Sequence, residues 1–320
     1  MDWSKAKNII ITIFIILNVF LLIYTGIYKS QNNISKETVT SILNILENKG
    51  VKMEIGYKLP TYNKKTPMLV MENFNLNKNN VSSFLFNNDF NISDKLNKSY
   101  EADENEYKKS YVEGNKTLTF TGSGSFIYND LDSSIKIKSF GFDKNNITKD
   151  MIKSSDVLIH FLKDSKQYKQ ILKSFCELFS HMNIEVSSFI LDKIVVNDDD
   201  SYTAIFIETY NKYLVFDNRI RVTIFNDGLK SIDFSISKIN GFAKSSSSIM
   251  PAHQVLLKNY YSVINDNNII TSVNIGFKGF NDKDEDGDDT KGIVQSPSWR
   301  VNMYDGSETY FKAYDGEEIK

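Results

Sequence analysis

The chain has 320 residues, 41% of them hydrophobic and 13% aromatic, which is enough for a sizeable core and, by length, for two domains. A formal net charge of −2 and a pI near 6.0 exclude a global basic field, and only Arg219, Arg221 and Arg300 carry guanidinium forks, so no nucleic-acid partner is expected. The single cysteine, Cys176, rules out an internal disulfide and any cysteine-based zinc framework.

Lys5 and Lys7 precede Ile9–Tyr28, a run of twenty residues without a charge. As a helix it is about 30 Å long, the thickness of the hydrocarbon core of a bilayer. It exits through Thr25, Gly26, Ile27 and Tyr28 with no small-residue cleavage site, so an uncleaved anchor is expected rather than a signal peptide. The lysines place residues 1–8 in the cytoplasm and the remainder outside the cell membrane. Asn18 stands mid-span, and Thr25 falls on nearly the same face beside Gly26, which permits close approach. These three are the candidate contacts to a partner transmembrane helix, with local hydrogen bonding of Asn18 as the plainer alternative.

Beyond a polar linker, Ser35 reads as an N-cap and Val39, Ile42, Leu43 and Leu46 as a helical stripe ended by Gly50. Val51, Met53 and Ile55 alternate as a strand, followed by a strand at 68–74 and a short helix around 81–86. Strands are expected at 107–112, 117–121, 125–128 and 135–140. Helices follow at 148–162 and 166–181, then strands at 189–196, 202–210, 219–225 and 229–239, with turns at Asn197–Asp200 and Asn226–Gly228. Pro251 opens a helix carrying Val255, Leu256, Asn259 and Val263, and strands at 269–277, 299–303 and 309–313 finish the chain. Helices set against antiparallel sheet define an α+β class, here read as two tandem lobes, 29–146 and 147–320, after a span at 9–28.

The chemical inventory is thin. Asp282, Asp284, Asp286 and Gly287 match the opening of an EF-hand loop, but Ile293 occupies the position that needs a bidentate acid; a solvated acidic loop over 282–289 is expected. His160, His181 and His253 fall in no metal-ligand spacing, and Cys176 lies on an apolar helical pattern that predicts a buried thiol. No nucleophile elbow, phosphate loop or dinucleotide fingerprint occurs. No catalytic, metal or cofactor residue is therefore nominated.

Met1-Asp2-Trp3-Ser4-Lys5-Ala6-Lys7-Asn8 running into the span resembles the start of the YycI (WalI) family. Tyr210–Thr223 with Asn226-Asp227-Gly228, then Pro297-Ser298-Trp299-Arg300-Val301, Asp305-Gly306 and Tyr310–Gly316, extend the resemblance to the C-terminal half. It implies a YycH/YycI-like ectodomain and a non-enzymatic accessory of the YycG (WalK) sensor histidine kinase in the YycFG (WalRK) two-component system, acting with the sister protein YycH in cell-wall homeostasis of Gram-positive bacteria. Contacts among transmembrane helices contribute to control in that family. The competing reading is a tethered extracytoplasmic domain that binds a ligand or protease; exchanging the span for an unrelated one separates the two, since a mere tether survives the exchange.

Overall fold

The computed structural model describes residues 11, 13–21, 36–54, 60, 62–86, 109–137, 165–263, 269–279 and 294–319. The expected helix at 148–162, the loop at 282–289, and Thr25 and Gly26 lie outside the described residues.

The first ectodomain helix, α1 (Lys36–Asn48), buries Ile42 and Leu46 one turn apart. Gly50, at φ 88°, ends it: the Gly50 amide bonds the Glu47 carbonyl at 2.9 Å and the Val51 amide bonds Leu46 at 2.9 Å. That is a Schellman closure, with buried Val51 apposed to buried Leu46. Strands β1 (Lys52–Met53) and β2 (Lys65–Asn73) lead to α2 (Lys78–Leu85), capped by the Asn77 side chain accepting from the Asn80 amide. After β3 (Lys109–Glu113), β4 (Lys116–Phe120) and β5 (Ser125–Asp130) comes α3 (Lys166–Ser180), whose N-cap Ser165 accepts from the Tyr168 amide. Tyr168, Ile171, Phe175, Leu178 and Phe179 form its buried stripe. Cys176, predicted on that stripe, is instead exposed, because the stripe passes through its neighbour Phe175.

The strands β6 (Phe189–Val196), β7 (Tyr202–Tyr210), β8 (Tyr213–Phe225) and β9 (Gly228–Ser235) form a meander. Asn211 and Lys212 (φ 48° and 73°), like Asn226 and Asp227 (φ 46° and 60°), take the left-handed conformation that two-residue hairpins with matching twist require. The remaining elements are β10 (Ser237–Ser248), α4 (Ala252–Lys258), α5 (Tyr260–Val263), β11 (Ile269–Gly279), β12 (Val294–Met303), β13 (Glu308–Lys312) and β14 (Glu318–Ile319). Of the expected strand at 135–140, Lys136 makes an isolated bridge to Gly228, and residues beyond 137 are not described.

All these strands join one mixed, mainly antiparallel sheet. One part runs β6-β7-β8-β9-β5-β4-β3; the other is built around β11 and β12, with β13-β14 and β2-β10 against β12 and β1 against β11. A short parallel pairing of β8 with β11 connects them.

Two cores follow this division. The first packs α2 and α3 against the meander and the adjoining β4 and β5 through Phe120, Phe126, Phe175, Phe179, Phe206 and Phe234. The Phe175 and Phe206 rings stack at 3.7 Å between centroids. The second gathers Leu46, Val255, Leu256, Trp299, Val301 and Phe311, and the Trp299 Nε1–H donates to the Met250 carbonyl at 2.9 Å. Each core draws on both sides of residue 146, where the sequence suggested a boundary between tandem lobes. The reason is that β2 pairs with β10 and β12 from the far end of the chain, whereas β3–β5 pair with β9.

Candidate functional site

Two features stand out from the rest of the molecule: an exposed apolar stretch near the N-terminus and a buried ionic network between the cores.

Residues 13–21 are helical, and Ile13, Phe14, Ile15, Ile16, Leu17, Val19, Phe20 and Leu21 are all about half exposed or more. A continuous apolar surface of this kind marks a place for lipid or a partner. Among the described residues no helix is long and apolar enough to cross a membrane. Asn18 donates from Nδ2 to the Phe14 carbonyl at 2.8 Å, so its amide is met within its own helix. Of the three candidate contacts, only Asn18 is among the described residues.

The ionic network corresponds to no sequence motif, since its members are scattered from residue 192 to 310. Arg300 on β12 forms a two-pronged pair with Asp192 on β6, both hydrogen bonds at 2.7 Å, with side chains only 3% and 6% exposed. Glu308 on β13 lies among Lys193, Arg219 at 3.0 Å and Arg300 at 3.6 Å. Tyr310 donates to Glu308 and accepts from Arg219 at 2.6 Å. Asn274 accepts from Arg300 at 3.1 Å and from Asn302 at 2.9 Å. The Arg300 guanidinium also lies 5.2 Å from the centre of the Phe216 ring, which meets Tyr310 edge-on.

Alternation explains how these groups come together. On β12, Trp299 and Val301 point into the second core, so Arg300 points to the opposite face. On β6 the pairing slips between Leu191 and Lys193, and this irregularity sets both Asp192 and Lys193 against β12 and β13. Burial pushes the Glu308 carboxyl up, but Arg219, Arg300 and Lys193 outweigh it and hold it well below the usual carboxylate range. Burial alone would weaken the Arg300 cation, yet Asp192 and Glu308 hold it firmly protonated. Both carboxylates are thus engaged by cations inside the protein, an arrangement suited to fixing strands rather than attacking a substrate. The Nε atoms of Arg219 and Arg300 and Oδ1 of Asn302 are buried without a hydrogen-bond partner.

The two described histidines, His181 and His253, remain apart from this network. His181 ends α3 and stacks on Phe84 at 5.5 Å beside a cavity of about 290 Å³ also lined by Ile135, Lys136, Ser174 and Glu177. His253 is buried on α4, where burial lowers its pKa. Among the described residues no group of three or more His, Cys, Asp or Glu side chains could hold a metal ion.

The family model described as "YycI protein" matches residues 29–314. No curated protein matches the chain. Among solved structures, an uncharacterized protein from Eubacterium rectale ATCC 33656 is similar over 84% of this chain and 89% of its own, at 12% identity and a TM-score of 0.44.

Proposed function

The chain belongs to the YycI family, a regulatory accessory family of the YycFG two-component system, and on that premise we propose that it is a membrane-anchored, non-enzymatic modulator of the YycG sensor kinase. Family membership over residues 29–314 carries the proposal. In this reading Ile9–Tyr28 crosses the cell membrane with residues 1–8 in the cytoplasm, and the α+β domain stands outside, where it meets a YycH-like sister protein. The exposed apolar side chains of residues 13–21 supply the membrane face, and Asn18, Thr25 and Gly26 supply the contact to a kinase helix. The bond from Asn18 to Phe14 makes that contact a matter of exchange: the amide turns from its own backbone to a partner acceptor, or uses its second N–H. A modulator of this kind works by differential contact with the two states of the kinase and needs no catalytic group.

The test is co-purification of the kinase with a chain carrying Asn18→Leu and Thr25→Leu. Reduced recovery is expected, with the ectodomain still folded. Full recovery removes the helix contact from the proposal and leaves the segment as a tether.

A further inference from the structure

The two cores meet along a narrow seam whose two faces differ in chemistry. Backbone continuity across it consists of the parallel pairs Leu214 with Gly276 and Val215 with Phe277. Gly276 sits so close that a Cβ there would lie 2.4 Å from the Leu214 carbonyl oxygen and 2.6 Å from the Phe216 ring, so backbone rests directly on backbone. On one face, Leu69, Met71, Val215 and Phe277 make a small buried cluster, with Tyr213 and Phe242 set against Phe277 at 5.3 and 5.7 Å. On the other lies the ionic network, in which Asp192, Lys193 and Arg219 belong to the meander and Arg300, Glu308 and Tyr310 to the β11–β13 half.

We infer that the seam is a hinge closed by a clasp: the apolar cluster around Phe277 is the pivot, and the Arg300–Asp192 and Glu308 bridges fix a single closed angle between the two halves. Apolar contact is non-directional and tolerates a small rotation, whereas a two-pronged guanidinium–carboxylate pair has one good geometry. The energetics also favour two states. Opening an apolar core forfeits its burial outright, but charges drawn apart into water recover the hydration they lost on closing. Closed and open forms of an ionic seam therefore lie nearer in energy than those of an apolar seam of equal area, which is the requirement for a bistable element. The position in the chain gives the motion a consequence. Helix α1 belongs to the second core and begins at Lys36, so the N-terminal segment enters that half. Among the described residues the half around Phe175 meets it across the seam and through the chain crossings at 74–77 and 236, and a change at the clasp swings that half relative to the N-terminus.

The experiment is a pulsed dipolar distance measurement on the full-length chain in detergent, with Cys176→Ser and spin labels at Ser110→Cys on β3 and Glu318→Cys on β14, both exposed positions. With the network intact one narrow distance distribution is expected. Asp192→Asn with Arg300→Gln removes both charges and the two-pronged geometry while keeping polar side chains; it is expected to broaden the distribution and add a second population. Amide exchange on β6 and β12 at the seam rises by about tenfold or more, while the amides around Phe175 and α1 keep their protection. If the double variant does not fold, Glu308→Gln, which removes only the hub between Lys193 and Arg219, is read in the same way. An unchanged distribution overturns the clasp. Protection lost from both cores together overturns the hinge, because the two halves are then one cooperative unit.

Discussion

The bridge between Arg300 and Asp192 makes a sharp energetic prediction, because breaking a buried ion pair and replacing it are different operations. Both oxygens of Asp192 accept from Arg300, and with its side chain 6% exposed the carboxylate has little water to turn to. Arg300→Met therefore leaves an uncompensated buried charge, at a cost of about 3–5 kcal/mol. Taking a urea slope of about 2–3 kcal/mol per M, the unfolding midpoint falls by about 1–2 M. Asp192→Leu combined with Arg300→Met removes both charges and supplies apolar volume; it is expected to recover most of that loss, to within about 1–2 kcal/mol of the parent. The assay is urea unfolding followed by tryptophan fluorescence in a Trp3→Phe background, which leaves fully buried Trp299 as the one reporter of the second core. If the single substitution costs under about 1 kcal/mol, or the double is as damaging as the single, the pair is not desolvated in the way its burial implies.

Two further outcomes follow from the same geometry. The Glu308 carboxyl is held below its ordinary range, so its contribution is fully present above the unfolded value of about 4.3 and is lost as pH falls below it; urea midpoints from pH 7 down to 2.5 should fall through that window, and Glu308→Gln should flatten this part of the slope. Phe175→Ala, at the centre of the first core against Phe206, should cost about 3–5 kcal/mol in the same unfolding assay followed by far-UV circular dichroism, and a loss near 1 kcal/mol would mean that the core closes over the gap.

Much of the fold could be read locally. The strands at 189–196 and 202–210 were legible to the residue, because β-branched runs flank a polar Asn197–Asp200 turn. Likewise Gly50 marked the end of α1 by the left-handed backbone that its closure requires. Other features depend on partners far away in the chain. Strand β8 begins at Tyr213 rather than Arg219, because its hairpin uses Asn211 and Lys212 at positive φ where the usual glycine signal is missing. The expected strand over 229–239 is two strands, since the chain leaves β5 and β8 after Ser235 and joins β2 from Ser237 onward. Alternation is unchanged across such a switch of partners, so pattern alone does not reveal it. The polar run Lys244–Ser248 also lacks the apolar period of a strand, though its end pairs with β2 across a register shift. The ionic network had a faint signal: Asp192-Lys193 interrupts an otherwise apolar strand, and Arg300 sits between Trp299 and Val301. Its members, however, span residues 192 to 310 and meet only in three dimensions.

The interleaving of the cores imposes an order on the making of the protein. The first core lies within residues 76–234 and is complete once β9 has been synthesised. The second needs α1 and β1 near the beginning together with Trp299, Val301 and Phe311 near the end, so the stripe of Ile42 and Leu46 waits without its partners until almost the whole chain has appeared. A nascent chain is thus expected to be half folded with an exposed apolar helix at its N-terminal side, and the hairpin of β12 and β13 to be the closing stitch. Removing that hairpin strips α1 of its cover, which turns a C-terminal truncation into a defect expressed beside the N-terminus.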